Sequence, residues 1–242
     1  MPAGGGSAPN GRPPAERPEV GVSGPAVHPH PLAAVLAGVH EGSCPGELNF
    51  HCHTIHSDGS LRPEQLGQQA LALGLEHLAV TDHHSTLAFA PLQQWFASQA
   101  EQGSAVPTLW SGVEISCLLE SCLVHVLALG FEPGHEALEP YRQGHAPIGQ
   151  ELQAATVVDR IHAAGGLALL AHPGRYRLSF QRLIPAAAAL GFAGGEAYYD
   201  YAMQPRWQPT PVVCEAIARL LEDHALLRSC GTDTHGLELC GR

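Results

Sequence analysis

The sequence predicts an α/β fold in which seven strands alternate with helices and close into a barrel. Three observations lead there. Short apolar runs recur between about residues 46 and 240, separated by stretches of helical period; the runs end in turn-forming residues; and six of the seven deliver a His, Asp or Glu in or just beyond their C-terminal half. In a parallel barrel the strand C-termini meet at one end, so these groups collect in one place. A chain of 242 residues has the length of one such barrel.

The first 31 or so residues are rich in Pro, Gly, Ala and Ser without hydrophobic period. That predicts a disordered tail reaching residue 44, with His28 and His30 solvated in it, ahead of one domain at 45–242. Leu48 and Phe50 lead into His51-Cys52-His53 at a strand end, followed by the turn Ser57-Asp58-Gly59-Ser60. Residues i and i+2 share a strand face, so both imidazoles can reach one ion with Asp58 beside them, while Cys52 points the other way into packing. Pro63 to Leu73 is a helix, with Ser60 as cap and Gly74 as stop.

A short buried strand follows at Glu76 to His84, then a helix over 85–101. Thr108 to Ser116 and Cys122 to Phe131 are strands carrying Glu114 and His125; the gap between them is too short for a crossover helix, so this pair is irregular or antiparallel. After a loop over 132–149, Gln150 to Ala164 is helical and Leu167 to Ala171 is a strand ending in His172-Pro173-Gly174. A helix at Phe180 to Leu190, a strand at Phe192 to Tyr199 carrying Glu196, a helix at 211–224 and a strand at Leu226 to Cys230 complete the order. The last strand ends in Gly231-Thr232-Asp233-Thr234-His235.

Twelve Lys and Arg against 23 Asp and Glu give a net charge of -11, which argues against broad binding to duplex DNA or to an anionic membrane. A small phosphorylated substrate stays compatible, because metal ions can supply positive charge. The seven cysteines are an odd number without Cys-x-x-Cys, pointing to a reduced, cytoplasmic setting. No apolar run reaches the roughly 18 residues of a membrane span, and Leu32 to Val39 lacks the basic lead of a secretory signal.

His51, His53, Asp58, His83, Glu114, His125, His172, Asp233 and His235 make nine candidate ligands. Burying so many ionisable groups at one end of a barrel is costly unless cations neutralise them. Imidazoles with carboxylates suit divalent Zn, Mn or Fe, and nine ligands are enough for three ions.

These residues resemble the PHP (polymerase and histidinol phosphatase) superfamily. Its four motifs appear as His51-Cys52-His53, Thr81-Asp82-His83, His172-Pro173 and Asp233-Thr234-His235, with Gly112 to Ser116 and His125-Val126-Leu127 between them. The resemblance implies a distorted (β/α)7 barrel with a trinuclear site. It would put His51, His53, Glu114 and Asp233 on one ion, Glu114, His125 and His172 on a second bridged by Glu114, and Asp58, His83 and His235 on a third. Ala171 to Tyr176 and Gly112 to Ser116 are most similar to the branch of nucleoside 3',5'-bisphosphate phosphatases and 5'-to-3' exoribonucleases. The chain departs from that branch in a short gap between His125 and His172, where a long helical insertion occurs, and in having only Gly236 to Arg242 after the last motif.

The chemistry so implied is hydrolysis of a phosphate monoester by a hydroxide activated between the ions sharing Glu114. Arg175 would grip the phosphate, Arg177 and Arg182 being surface residues. His84 is either a general acid or solvated, and His56 is exposed. Glu196 and Asp82 are expected to orient ligands rather than bind ions. Tyr198, Tyr199 and Trp207 either stack on a base or pack. The substrate would be a small nucleotide or the 5' end of a short RNA. The competing readings are a phosphatase for a metabolite such as histidinol phosphate, and a non-catalytic metal-binding regulatory domain. The oligomeric state is not legible.

Overall fold

The computed structural model describes Met1 and residues 30–241. In order, the elements are α1 (Pro31–Ala37), β1 (Leu48–Asn49), α2 (Pro63–Leu73), β2 (His77–Ala79), α3 (Phe89–Glu101), β3 (Thr108–Trp110), β4 (Gly112–Leu119), β5 (Cys122–Leu129), α4 (Ala154–Ala163), β6 (Leu167–Leu170), α5 (Phe180–Ala189), β7 (Gly194–Tyr198), α6 (Pro211–Asp223) and β8 (Leu227–Cys230). The helix α2 has the expected bounds because both signals act: Pro63 opens it with a preset φ, and Gly74 closes it at φ 73°.

Strands β1, β2 and β3 form one parallel sheet, and β4 to β8 form a second in sequence order. Both edges are stitched. Phe50 N–H donates to Cys230 O at 3.1 Å, Asp233 N–H to His51 O at 2.7 Å and His53 N–H to Thr234 O at 3.1 Å, joining the end of β8 to the continuation of β1. On the other side Glu114 N–H donates to Asp82 O at 3.2 Å and His84 N–H to Glu114 O at 3.0 Å, joining the continuation of β2 to β4. The result is a distorted α/β barrel.

The strand expected at Thr108 to Ser116 is broken at Ser111. Its first half pairs parallel with β2, and the second half turns to pair antiparallel with β5. The cause is local: Ser111 Oγ donates to Phe131 O at 2.6 Å, and Gly112 lies so close to β2 that a Cβ would come within 2.5 Å of Val80 O. Counted as one broken stave, the pair restores the expected seven. The β4–β5 hairpin turns on Glu120 and Ser121, at φ 51° and 57°, the left-handed pair that a two-residue hairpin requires. This turn fixes the register that sets Ser116 opposite His125.

Two other expectations change. Residues 31–44 are not a tail, because α1 buries Leu32 and Leu36 completely in the main core, where Val39 joins them. His30 is not solvated: its Nδ1 accepts from Leu32 N–H at 3.1 Å as the cap of α1, so its Nε2–H donates to Gly130 O at 2.8 Å. His28 and the rest of residues 2–29 lie outside the described residues. The helices after β2 and before β6 start later than expected, at Phe89 and Ala154, since the chain ahead of each is held in turns.

A second apolar cluster under α2 and α3 includes Leu66, Leu92, Phe96 and the fully buried Cys52, whose side chain lies opposite the histidines as expected. The seven cysteines are all free thiols. Among the described residues no helix is long and apolar enough to cross a membrane.

Candidate metal centre

The barrel's strand ends bring all nine predicted ligands to one place. His51 and His53 leave β1 on one face and Glu114 enters from β4. His125 sits near the start of β5, which lies at the same barrel end because that strand runs backwards. His172 and Asp233 follow β6 and β8 with φ of 27° and 52°, a region L-residues seldom occupy. Two close approaches keep the backbone tight there: a Cβ on Gly231 would lie 2.3 Å from His51 N, and one on Gly59 2.5 Å from His53 C.

Glu114 is the hub. Its Oε2 lies 3.0 Å from His51 Nε2, 3.2 Å from His53 Nε2 and 3.5 Å from His83 Nδ1, while its Oε1 lies 2.8 Å from His125 Nδ1 and 3.2 Å from His172 Nε2. One carboxylate thus faces two groups of imidazoles with separate oxygens. Asp233 Oδ1 is 3.3 Å from His51 Nε2 and 3.2 Å from His53 Nε2. Asp58 stands at the rim, 3.3 Å from His235 Nε2, 3.7 Å from His53 Nδ1 and 3.8 Å from His83 Nε2.

Ligand atoms within 4.8 Å of one another form His51, His53, Glu114 and Asp233 into one set, His53, Asp58, His83 and His235 into another, and His83, Glu114 and His125 into a third. His172 reaches Glu114 but groups with His51 and Glu196. The donor set fits divalent cations on a further observation. His53 Nε2 is buried and makes no hydrogen bond, although it faces two carboxylate oxygens at 3.2 Å. A buried ring nitrogen facing two carboxylate oxygens takes a proton in metal-free protein and offers its lone pair to a cation that displaces that proton.

The electrostatics agree. Burial alone would lower His51 and His53, but around His51 Glu196, Glu114 and Asp233 outweigh it, and around His53 Asp233 and Glu114 do. His51 is raised well above its ordinary value and His53 to about 9. Burial would raise Glu114 and Asp233, yet the surrounding imidazoles hold both well below the usual carboxylate range. Without ions, protons do the neutralising.

Glu196, at no exposure, accepts from His51 Nδ1 at 2.9 Å and from His172 N–H at 2.6 Å, so it aims the His51 Nε2 at the centre. The Asp82 carboxylate makes its hydrogen bonds to Thr54 and Ser57 and not to a predicted ligand. It holds the Thr54 to Ser57 loop, accepting from Thr54 N–H and Oγ1 at 2.6 Å each and from Ser57 Oγ at 2.7 Å.

His84 departs from both of its readings. It is buried, its Nε2 accepts from Ser116 N–H at 3.2 Å, and burial with the nearby His83 and His125 pushes it down to about 4. At φ 50° the backbone turns its ring away from the cavity, which it does not line. His56 is only half-exposed. Arg177 donates to Ser121 O and Arg182 pairs with Glu120 at the surface.

The site opens into a cavity of about 430 Å³ lined by His83, Glu114, His125, His172, Arg175, Tyr176, Asp233 and His235. Arg175 is the cation of this lining; its Nη1 donates to Tyr199 Oη at 2.8 Å and to Asp233 Oδ2 at 3.1 Å. Two tyrosines make site contacts that the sequence does not announce, Tyr176 and the hydroxyl of Tyr199, whose expected part is stacking or packing. Tyr176 accepts from His125 N–H at 2.8 Å and donates to Ala171 O, and Tyr199 donates to Asp233 Oδ2 at 2.5 Å. Tyr198 and Trp207 are packed in the core.

Fold and site together define a class, the metal-dependent phosphoesterases. The model of the PHP domain matches residues 49–156. It is 25% identical over 255 residues to the 5'-3' exoribonuclease Rnm of Escherichia coli (strain K12), covering 77% of this chain and 84% of that one. It is 32% identical over 118 residues to the 3',5'-nucleoside bisphosphate phosphatase of Chromobacterium violaceum, covering 46% and 39%. Among solved structures, a metal-dependent phosphoesterase described as putative from Bifidobacterium adolescentis superposes with a TM-score of 0.63 at 22% identity over 82% of this chain and 91% of that one. An amidohydrolase from Chromobacterium violaceum does so with a TM-score of 0.64 at 22% identity, over 78% and 88%. The two superpositions show a shared fold.

Proposed function

We propose that this chain hydrolyses a phosphate monoester of a small nucleotide, such as a 3',5'-bisphosphonucleotide, or of the 5' end of a short RNA, at a centre of three divalent ions. The observation that carries this reading is the Glu114 carboxylate, set among five imidazoles, beside a cavity whose lining includes one guanidinium. The names of the two nucleotide-acting relatives support the substrate class. We assign α1 to the same domain as residues 45–242, because it packs in the main core, and the setting to the cytoplasm, in keeping with seven free thiols.

His51, His53, Glu114 and Asp233 would hold one ion, Glu114 with His125 and His172 a second, and Asp58, His83 and His235 a third. Bound there, Mn, Fe or Zn supplies positive charge against the phosphoryl oxygens and acidifies water for attack. The chain's own contribution is placement. Glu114 offers a separate oxygen to each neighbouring set, Glu196 fixes the tautomer and direction of His51, and Arg175 presents N–H donors to the phosphate.

The test is an assay of Mn-loaded protein against 3',5'-bisphosphonucleotides, short 5'-phosphorylated RNA and histidinol phosphate. Preference for either nucleotide substrate sustains the proposal; turnover confined to histidinol phosphate replaces its substrate, and no turnover of any of them returns the chain to a regulatory role.

A further inference from the structure

We infer that Tyr199 is a positioning residue that holds Arg175 ready for the phosphate, an inference resting on the phosphoesterase reading above. Tyr199 follows β7, fully buried, and its single hydroxyl connects two site groups: it accepts from Arg175 Nη1 at 2.8 Å and donates to Asp233 Oδ2 at 2.5 Å. Asp233 therefore has two faces. Its Oδ1 lies among His51 and His53, and its Oδ2 lies against Tyr199 and Arg175.

Geometry explains why the hydroxyl matters. The Arg175 side chain is 40% exposed, so packing does not fix its flexible stem. With the phenol present, the guanidinium is held sideways by two acceptors, both on Nη1, and its other donors are available to line the cavity. Without it, the nearest anion is Asp233 alone, and a guanidinium beside a carboxylate prefers a two-pronged pairing that turns those donors inward. The ring of Tyr199 also packs edge-on to His172 at 5.4 Å and against Tyr201 at 5.0 Å, and Tyr201 Oη accepts from Gly174 N–H at 3.2 Å. Two tyrosines thus brace the turn that carries Arg175.

Tyr199→Phe keeps the ring and removes the hydroxyl. Its expected signature is a KM for a phosphate monoester raised about tenfold or more, with an equal weakening of inhibition by inorganic phosphate and a smaller change in kcat. Metal content and Tm should stay at wild-type values. In an Arg175→Gln background the same substitution should add little, because the group it positions is gone. Unchanged KM and phosphate inhibition, effects that add in full in the double variant, or loss of bound metal in Tyr199→Phe each overturn the inference. A wild-type protein without phosphatase activity overturns the phosphoesterase reading and this inference with it; an active wild type with an unaltered variant overturns this inference alone.

Discussion

The two halves of the metal centre use the same residue types in opposite environments. On the inner side His51, His53 and Glu114 are sealed from solvent, whereas on the outer side Asp58 is 58% exposed and His235 34%. Burial lowers His83 despite Glu114 nearby, while the more deeply buried His53 is raised to about 9. Depth alone would give the reverse order. What decides is the number of carboxylate oxygens in contact: His53 Nε2 faces two within 3.2 Å, and His83 meets its nearest at 3.5 Å. A sealed centre stores its negative charge against protons until cations replace them; an open one leaves that work to water.

The contrast can be broken most severely at the shared carboxylate. Glu114→Gln should lower turnover by about a thousandfold or more and empty both neighbouring ion positions, read by steady-state assay and elemental analysis. Asp58→Ala strikes only the open half. Turnover should fall about a hundredfold while elemental analysis finds the inner ions retained; loss of all metal would abolish the distinction between halves. Glu196→Gln acts on the sealed half from outside it, weakening metal affinity about tenfold to a hundredfold at His51 with little change in fold, as a metal titration would measure.

The mildest test is pH. In metal-free protein the His53 pKa is raised from 6.5 to about 9, so its pairing contributes stability that is full below pH 6.5 and lost as pH rises through about 9. Cation binding requires the neutral ring, hence affinity should rise about tenfold per pH unit up to that value for this one proton. Calorimetry in buffers of differing ionisation enthalpy should register the released proton, and Asp58→Ala should leave that release intact.

The ligands were legible because each follows an apolar run, and strand parity tells which neighbours share a face: His51 and His53 inward, Cys52 outward. Parity failed where the backbone leaves the strand. His84 occupies a left-handed conformation, so its ring meets Ser116 instead of solvent or substrate. The sequence offers Tyr199 only as base-stacking or packing, since no spacing rule announces a phenol shared between an arginine and an aspartate that follow separate strands. The break at Ser111 carried a signal, the glycine after it, but the close approach to Val80 that uses this glycine is tertiary. Likewise α1 hid behind a Pro-rich lead whose last proline is a helix opener.

The tight reversal at Glu120 and Ser121 makes the position of His125 a matter of counting. One residue added to that bend would slide β5 by a single step, presenting Val124 or Val126 where the imidazole stood and sending His125 to the opposite side. Glu114 would keep its other neighbours but lose the one at 2.8 Å. A loop no longer than it is thus guards the chemistry as firmly as any residue inside the cavity, and length there is less free to vary than composition.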